Sequence, residues 1–302
     1  LKYLAQATAI RSLDFEEITG LKSVLAASII YSLFPIISFT TVNAIAFINK
    51  GLIIYLFVFF KDKKVSKFFL YSLIFYPSII IYSSLSLRDI LTTFLMLLAA
   101  HFFFIYRYKT FLIFSIILFL IKPQNALFVA ATLMFYKLFI ESRNFKKDYI
   151  ILSIIIGVTL FYSNEMLSLI NKFRLGFFAE ANGYTEKLGK YYSESRKLSF
   201  SFNSFYYSIS EYIKSHLYPM TDSLEVKKSI FFLDNILYTF LYFLNCAHLY
   251  KKNKKKVIFW IIAYILINIL LVLIAVNEMT FLRYKFPFVI FFIFCLSQTC
   301  NK

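Results

Sequence analysis

Charge is what this chain lacks most. Only 16% of its 302 residues are Asp, Glu, Lys or Arg, against ~25% in ordinary soluble domains, while 60% are hydrophobic and 21% aromatic. With a mean hydropathy of +0.70, that shortage excludes a soluble globular domain and predicts a polytopic integral membrane protein. Cysteine and histidine are scarce too. Cys246, Cys295 and Cys300 lie in or beside apolar runs, without paired spacing or nearby histidines, which argues against both a disulfide framework and a metal site. His101, His216 and His248 are scattered, so neither a bound transition metal nor a cofactor is expected, and His101 reads first as a packed, hydrogen-bonded histidine. Gly, Ala and Pro are few while Phe, Ile and Lys are abundant, as an AT-rich genome would also produce. The alternating dyad of an outer-membrane barrel is missing, and so are an internal repeat and the inverted symmetry of many transporters. No n-region, h-region and cleavage site occur in order, so no signal peptide is expected. The chain begins with Leu1, for which a preceding helix or an unusual start codon is the expected reason.

What the chain has is apolar runs. They fall at about 44–60, 68–84, 90–106, 110–140, 149–163, 229–249, 257–276 and 286–300, each close to the ~20 residues a helix needs to cross a bilayer. Residues 24–39 are apolar but short and contain Pro35, so a span and a surface position both stand. The expected fold is all-α, a polytopic membrane protein with about eight to ten transmembrane helices and one long external loop. Its expected parts are an N-terminal polar or interfacial segment (1–43) with at most one short span, a first transmembrane bundle (44–163), an external loop (164–228) and C-terminal transmembrane helices (229–302). Within residues 1–21, Arg11, Asp14, Glu16 and Glu17 are compatible with an interfacial amphipathic helix or a solvated segment.

The net charge of +17 is not read as nucleic-acid binding, because the lysines cluster between apolar runs. Lys61 to Lys67, Arg107 with Lys109, Arg143 with Lys147, and Lys251 to Lys256 occupy every second connection. The positive-inside rule makes that face cytoplasmic. The corner Ser86-Leu87-Arg88-Asp89, the segment Lys122-Pro123-Gln124, the loop 164–228 and the stretch Asn277 to Lys285 then face outward.

Charge at such apolar corners is expensive and is usually kept for chemistry, substrate contact or an ion pair. Arg88 and Asp89 read as an ionised pair, or as a helix end with Asp89 capping the next helix. Residues 111–121 would rise only ~17 Å as a helix, little more than half the ~30 Å hydrocarbon core. Lys122 and Pro123 are therefore expected below the outer surface, where a broken helix lines a polar cavity or Lys122 snorkels to the headgroups. Arg88, Lys122, Arg283 and Lys285 suit a phosphate or pyrophosphate, and Asp89 or Glu278 would take a proton from an attacking hydroxyl. In the external loop, Arg174 and Arg196 are weaker candidates for an anionic or carbohydrate partner. His101 and Lys50 read as the ionisable residues set well inside runs.

Three elements carry a resemblance: Tyr82-Ser83-Ser84 followed by Leu87-Arg88-Asp89, then Ile121-Lys122-Pro123-Gln124, and Phe281-Leu282-Arg283-Tyr284-Lys285-Phe286-Pro287. Their order is similar to that in Wzy-type O-antigen and capsule polymerases of the EpsG-like kind, and in GT-C lipid-linked-sugar transferases. The resemblance covers roughly residues 40–140 and 277–300. It implies a glycosyltransferase of the bacterial inner membrane that polymerises undecaprenyl-pyrophosphate-linked oligosaccharide units on the periplasmic face, with a chain-length regulator protein as a further partner. It also implies that Arg88, Lys122, Gln124, Arg283 and Lys285 bind pyrophosphate or sugar, with Asp89 or Glu278 as the base. A GT-C-like transferase using a polyprenyl-phosphate sugar, a lipid-linked oligosaccharide flippase and a non-catalytic membrane subunit are the alternatives. The acidic motif usual in the first external loop of GT-C enzymes has only Asp14, Glu16 and Glu17 as counterparts.

Overall fold

The computed structural model describes residues 2–12, 22–34, 42–63, 65–85, 88–141, 226–274 and 278–300, with isolated positions elsewhere. The described residues are all-helical, with eleven α-helices and no strand. They are α1 (Lys2–Ser12), α2 (Lys22–Ser32), α3 (Val42–Lys61), α4 (Lys67–Phe75), α5 (Pro77–Ser83), α6 (Asp89–Phe104), α7 (Tyr108–Ile121), α8 (Pro123–Tyr136), α9 (Val226–Tyr250), α10 (Lys254–Ile274) and α11 (Glu278–Cys300), with a π-helical turn at Lys137–Glu141. Among the described residues, one segment, Asn43–Lys61, has both the length and the hydropathy to cross a membrane. Helices α6 and α7 are apolar but shorter.

Prolines decide where the short helices stop. The run 68–84, expected as one helix, is two. Pro77 has no N–H to donate and disfavours helical geometry in the residue before it, so Tyr76 is extended at φ −70°, ψ 114° and α5 restarts with Pro77 in its first turn. The expected break of the run 110–140 is present. Lys122 takes φ −149°, ψ 81°, ending α7, and α8 begins at Pro123. Where α6 gives way to α7, Tyr106 adopts a left-handed φ of 59°.

The chain divides into two compact units. The first gathers Leu1–Met134, Leu237–Ile261 and Phe286–Lys302, the second Phe135–Ile236 and Ile262–Lys285. In the first unit, Phe286 to Cys300 of α11 are buried on every side, as expected of a helix that is hydrophobic all round. One end of that segment meets the lysine-rich turns. Ser66, which caps α4 by accepting from the Phe69 N–H at 3.2 Å, donates its own N–H to Ser297 Oγ. Lys256 Nζ donates to the Thr299 carbonyl at 2.8 Å, and Trp260 Nε1 to Thr299 Oγ1 at 2.9 Å. Towards the other end, Tyr82 stacks on Phe286 with ring centroids 4.9 Å apart.

The N-terminal helices α1 and α2 pack together, and α2 packs on α7. Arg11 donates through Nε to the Ser32 carbonyl at 3.0 Å and through Nη2 to the Phe34 carbonyl, placing a cation on the carbonyl end of α2. His101 is buried among the rings of Phe59, Phe60 and Phe102, the packed position expected of it. Lys50 is exposed. The three cysteines are free and buried.

Candidate functional site at the junction of three helix ends

The start of α6, the end of α7 and the start of α8 supply a buried ion pair. Lys122 Nζ donates to Asp89 Oδ1 at 3.0 Å, with Asp89 wholly buried and Lys122 2% exposed. Asp89 is the first residue of α6, where the helix dipole favours a carboxylate. Lys122 breaks away from α7 because Pro123 forbids it helical geometry, and so it can cross to Asp89. The partner of Asp89 thus comes from 33 residues away. The expected pair of Arg88 with Asp89 is replaced: Arg88 Nη1 donates to the Ile121 carbonyl at 3.1 Å, among the last carbonyls of α7, where a cation is favoured. The snorkelling alternative for Lys122 is overturned, since its ammonium turns inward to a carboxylate.

Polar neighbours frame the pair. Thr92 and Thr93 are fully buried and return their hydroxyls to the carbonyls of Arg88 and Asp89, each at 2.9 Å. Asn125, on the first turn of α8, is fully buried and donates Nδ2 to Met96 Sδ at 3.4 Å. Its Oδ1 and the Nε of Arg88 are buried with no hydrogen-bond partner among the described residues. Gln124 is half-buried beside them in sequence. Asn49, fully buried on α3, accepts from Tyr31 Oη at 3.1 Å and donates to the Leu85 carbonyl at 3.0 Å, tying the corner before Arg88 to two other helices.

The charge balance is informative. Two cations and one carboxylate leave one net positive charge, and the Lys122 ammonium is already committed to Asp89. Arg88, half-buried with one N–H unsatisfied, is the group best able to receive an anion, and a guanidinium presents a planar fork of donors suited to phosphate.

The other predicted residues lie in the second unit and are described by themselves. Lys285, on α11, is 2% exposed and donates to Asn235 Oδ1 on α9, while the buried carboxylate of Asp234 attracts its charge. Arg283 is half-buried. Glu278 opens α11, and its side chain lies outside the described residues. Arg174 and Arg196 fall outside them too, as does nearly all of 164–228. Sequence reasoning misses Asn125, Asn49, Asp234 and Asn235. For Asp234 the signal is plain, an acidic residue inside the apolar run 229–249. For Asn125 it is weaker, an amide in the first turn after Pro123, three positions from Lys122. No family model, curated protein or solved structure matches this chain.

Proposed function

We propose that the chain is a multi-pass helical protein of the bacterial inner membrane that joins undecaprenyl-pyrophosphate-linked oligosaccharide units into surface polysaccharide on the periplasmic face. The observation that carries this reading is the buried Asp89–Lys122 pair with half-buried Arg88 beside it, built at three helix ends of an otherwise apolar chain. The membrane part draws support from stripes of exposed apolar side chains. Phe47, Ile54 and Val58 share one face of α3, and Leu112, Ile116, Phe119 and Leu120 one face of α7. Such faces are a liability in water and are covered by lipid in a bilayer. The orientation draws support from the first unit, where Ser66 and Lys256 reach one end of the buried part of α11 and Tyr82 its other end.

In this mechanism Arg88 holds the pyrophosphate of the lipid-linked donor. The acceptor hydroxyl oxygen attacks the anomeric carbon, the carbon–oxygen bond to pyrophosphate breaks, and the lipid pyrophosphate leaves with the electron pair. Its growing negative charge is what the guanidinium stabilises, the main catalytic need for a good leaving group. The hydroxyl proton passes to a carboxylate, for which Asp89 stands at the cluster and Glu278 is the second candidate. Lys122, bonded to Asp89 Oδ1, holds the carboxylate oriented until that step.

The flippase reading gains from one observation, the Asp234–Asn235–Lys285 group set on two continuous helices instead of at helix ends. Surface polysaccharide from a deletion strain separates the two. Polymerisation predicts single-repeat chains without a ladder, restored by the wild-type gene and not by Arg88→Ala at equal protein level. Loss of even the single repeat would point to a flippase or an earlier transferase, and an intact ladder would end the enzymatic reading.

A further inference from the structure

Lys50 is a charge that the preceding reading leaves unused. Helix α3 has 20 residues, ~30 Å at 1.5 Å per residue, which matches the hydrocarbon core of a bilayer. Lys50 follows Val42 by eight residues and precedes Lys61 by eleven, so it stands near the middle of the span, ~12 Å from the nearer end and farther than a snorkelling lysine stem reaches. Ile48, Asn49 and Leu52 are buried in the first unit, whereas Phe47, Lys50, Gly51, Ile54 and Val58 are exposed along one stripe of the helix. Lys50 makes no hydrogen bond or ion pair with any described residue. The exposed faces of α7 and α10 carry no charge beyond their first turns, and lipid alone serves them. Lipid tails offer nothing to an ammonium in the middle of a bilayer, where charge is costly and is turned towards a partner. Gly51 beside it forms a notch, since a Cβ added there would meet nothing within 4 Å, and a small residue on a membrane helix lets another backbone approach closely.

We propose that this face of α3 receives a membrane-spanning helix of a different protein, one that carries an Asp or Glu at the depth of Lys50 and lays its backbone against Gly51. Charge complementarity selects this occupant. A second copy docking by the same face would set Lys50 against Lys50, because a two-fold interface brings the same patch from both sides, and juxtaposed like charges disfavour a partner. A phospholipid phosphate lies out of reach at the end of the span. The proposal rests on the membrane half of the preceding reading and uses none of its chemistry.

The test places the full chain in phospholipid nanodiscs with synthetic Leu/Ala host helices of ~20 residues that carry Glu or Gln at their centre, and reads association by fluorescence energy transfer. The Glu host binds about tenfold more tightly than the Gln host. Lys50→Met abolishes that difference, and Lys50→Glu reverses it in favour of a Lys-centred host. Gly51→Leu weakens binding of both hosts. Both positions are exposed, so these variants keep the fold. Absent or equal binding of the Glu and Gln hosts, or a difference that survives Lys50→Met, would overturn the proposal. Ile54→Cys copies that cross-link to one another with Lys50 intact would overturn it as well, by making a second copy the occupant. An intact polysaccharide ladder in the deletion strain would remove the polymerase and leave this face standing, whereas release of the chain from membranes by alkaline carbonate would remove both.

Discussion

Lys122 and Lys285 are each 2% exposed, yet the chain holds them in different ways. Lys122 stands where α7 stops and α8 starts and meets the carboxylate that opens α6. Lys285 lies within α11 and meets an amide within α9. At helix ends, backbone groups have not all been consumed by the helix ladder, so Arg88 finds a carbonyl and the dipoles of α6 and α8 add positive potential. In helix interiors the ladder takes the backbone, and side chains alone supply the polarity. The first arrangement can recognise a ligand with main chain and side chain together, whereas the second is better suited to joining two helices.

The largest effect expected from breaking this contrast is at the ion pair. Asp89→Ala or Lys122→Met alone strands a buried charge and costs about 3–5 kcal/mol, while Asp89→Leu combined with Lys122→Met recovers most of that stability. Thermal or denaturant unfolding in detergent would check it. A double variant no more stable than the singles would show that the two groups serve other partners. Lys285→Met breaks a hydrogen bond to a neutral amide and withdraws the cation that attracts the buried Asp234 carboxylate, and costs about 1–3 kcal/mol by the same measurement. If it costs as much as Lys122→Met, the distinction between the two lysines disappears. Arg88→Gln exchanges a charged donor for a neutral one and costs about 1 kcal/mol, while abolishing the polysaccharide ladder, so stability and function part company at this residue. Thr93→Val keeps the shape and removes only a bond to the carbonyl four residues back, so stability falls by less than about 1 kcal/mol and the ladder persists.

How far the sequence speaks for itself varies with distance along the chain. The break at Lys122 is legible because a proline and a run too short to span carry it locally. The break at Tyr76 arises from the same property of Pro77, but unbroken hydrophobicity on both sides hides it in a count of apolar residues. Helical character and the inward position of His101 can be read from composition alone. The pairing of Asp89 with Lys122 instead of Arg88 is not legible. It depends on how α6 and α7 pack, and a neighbour in sequence looks the better partner until that packing is known. Asp234 is passed over for the opposite reason: one acid in a long run barely moves its hydropathy, although its burial makes it costly.

The bond from the Ser66 N–H to Ser297 joins positions 231 residues apart. At the roughly 5–20 residues per second of bacterial and eukaryotic synthesis, the turn before α4 emerges tens of seconds, on the order of ten to fifty, ahead of its partner. The early helices of the first unit must wait until α11, whose residues 286–300 are buried on every side, has been made. The nascent protein is therefore exposed to quality-control proteases until α11 is made, and loss of a few residues around Ser297 would be felt by helices made long before.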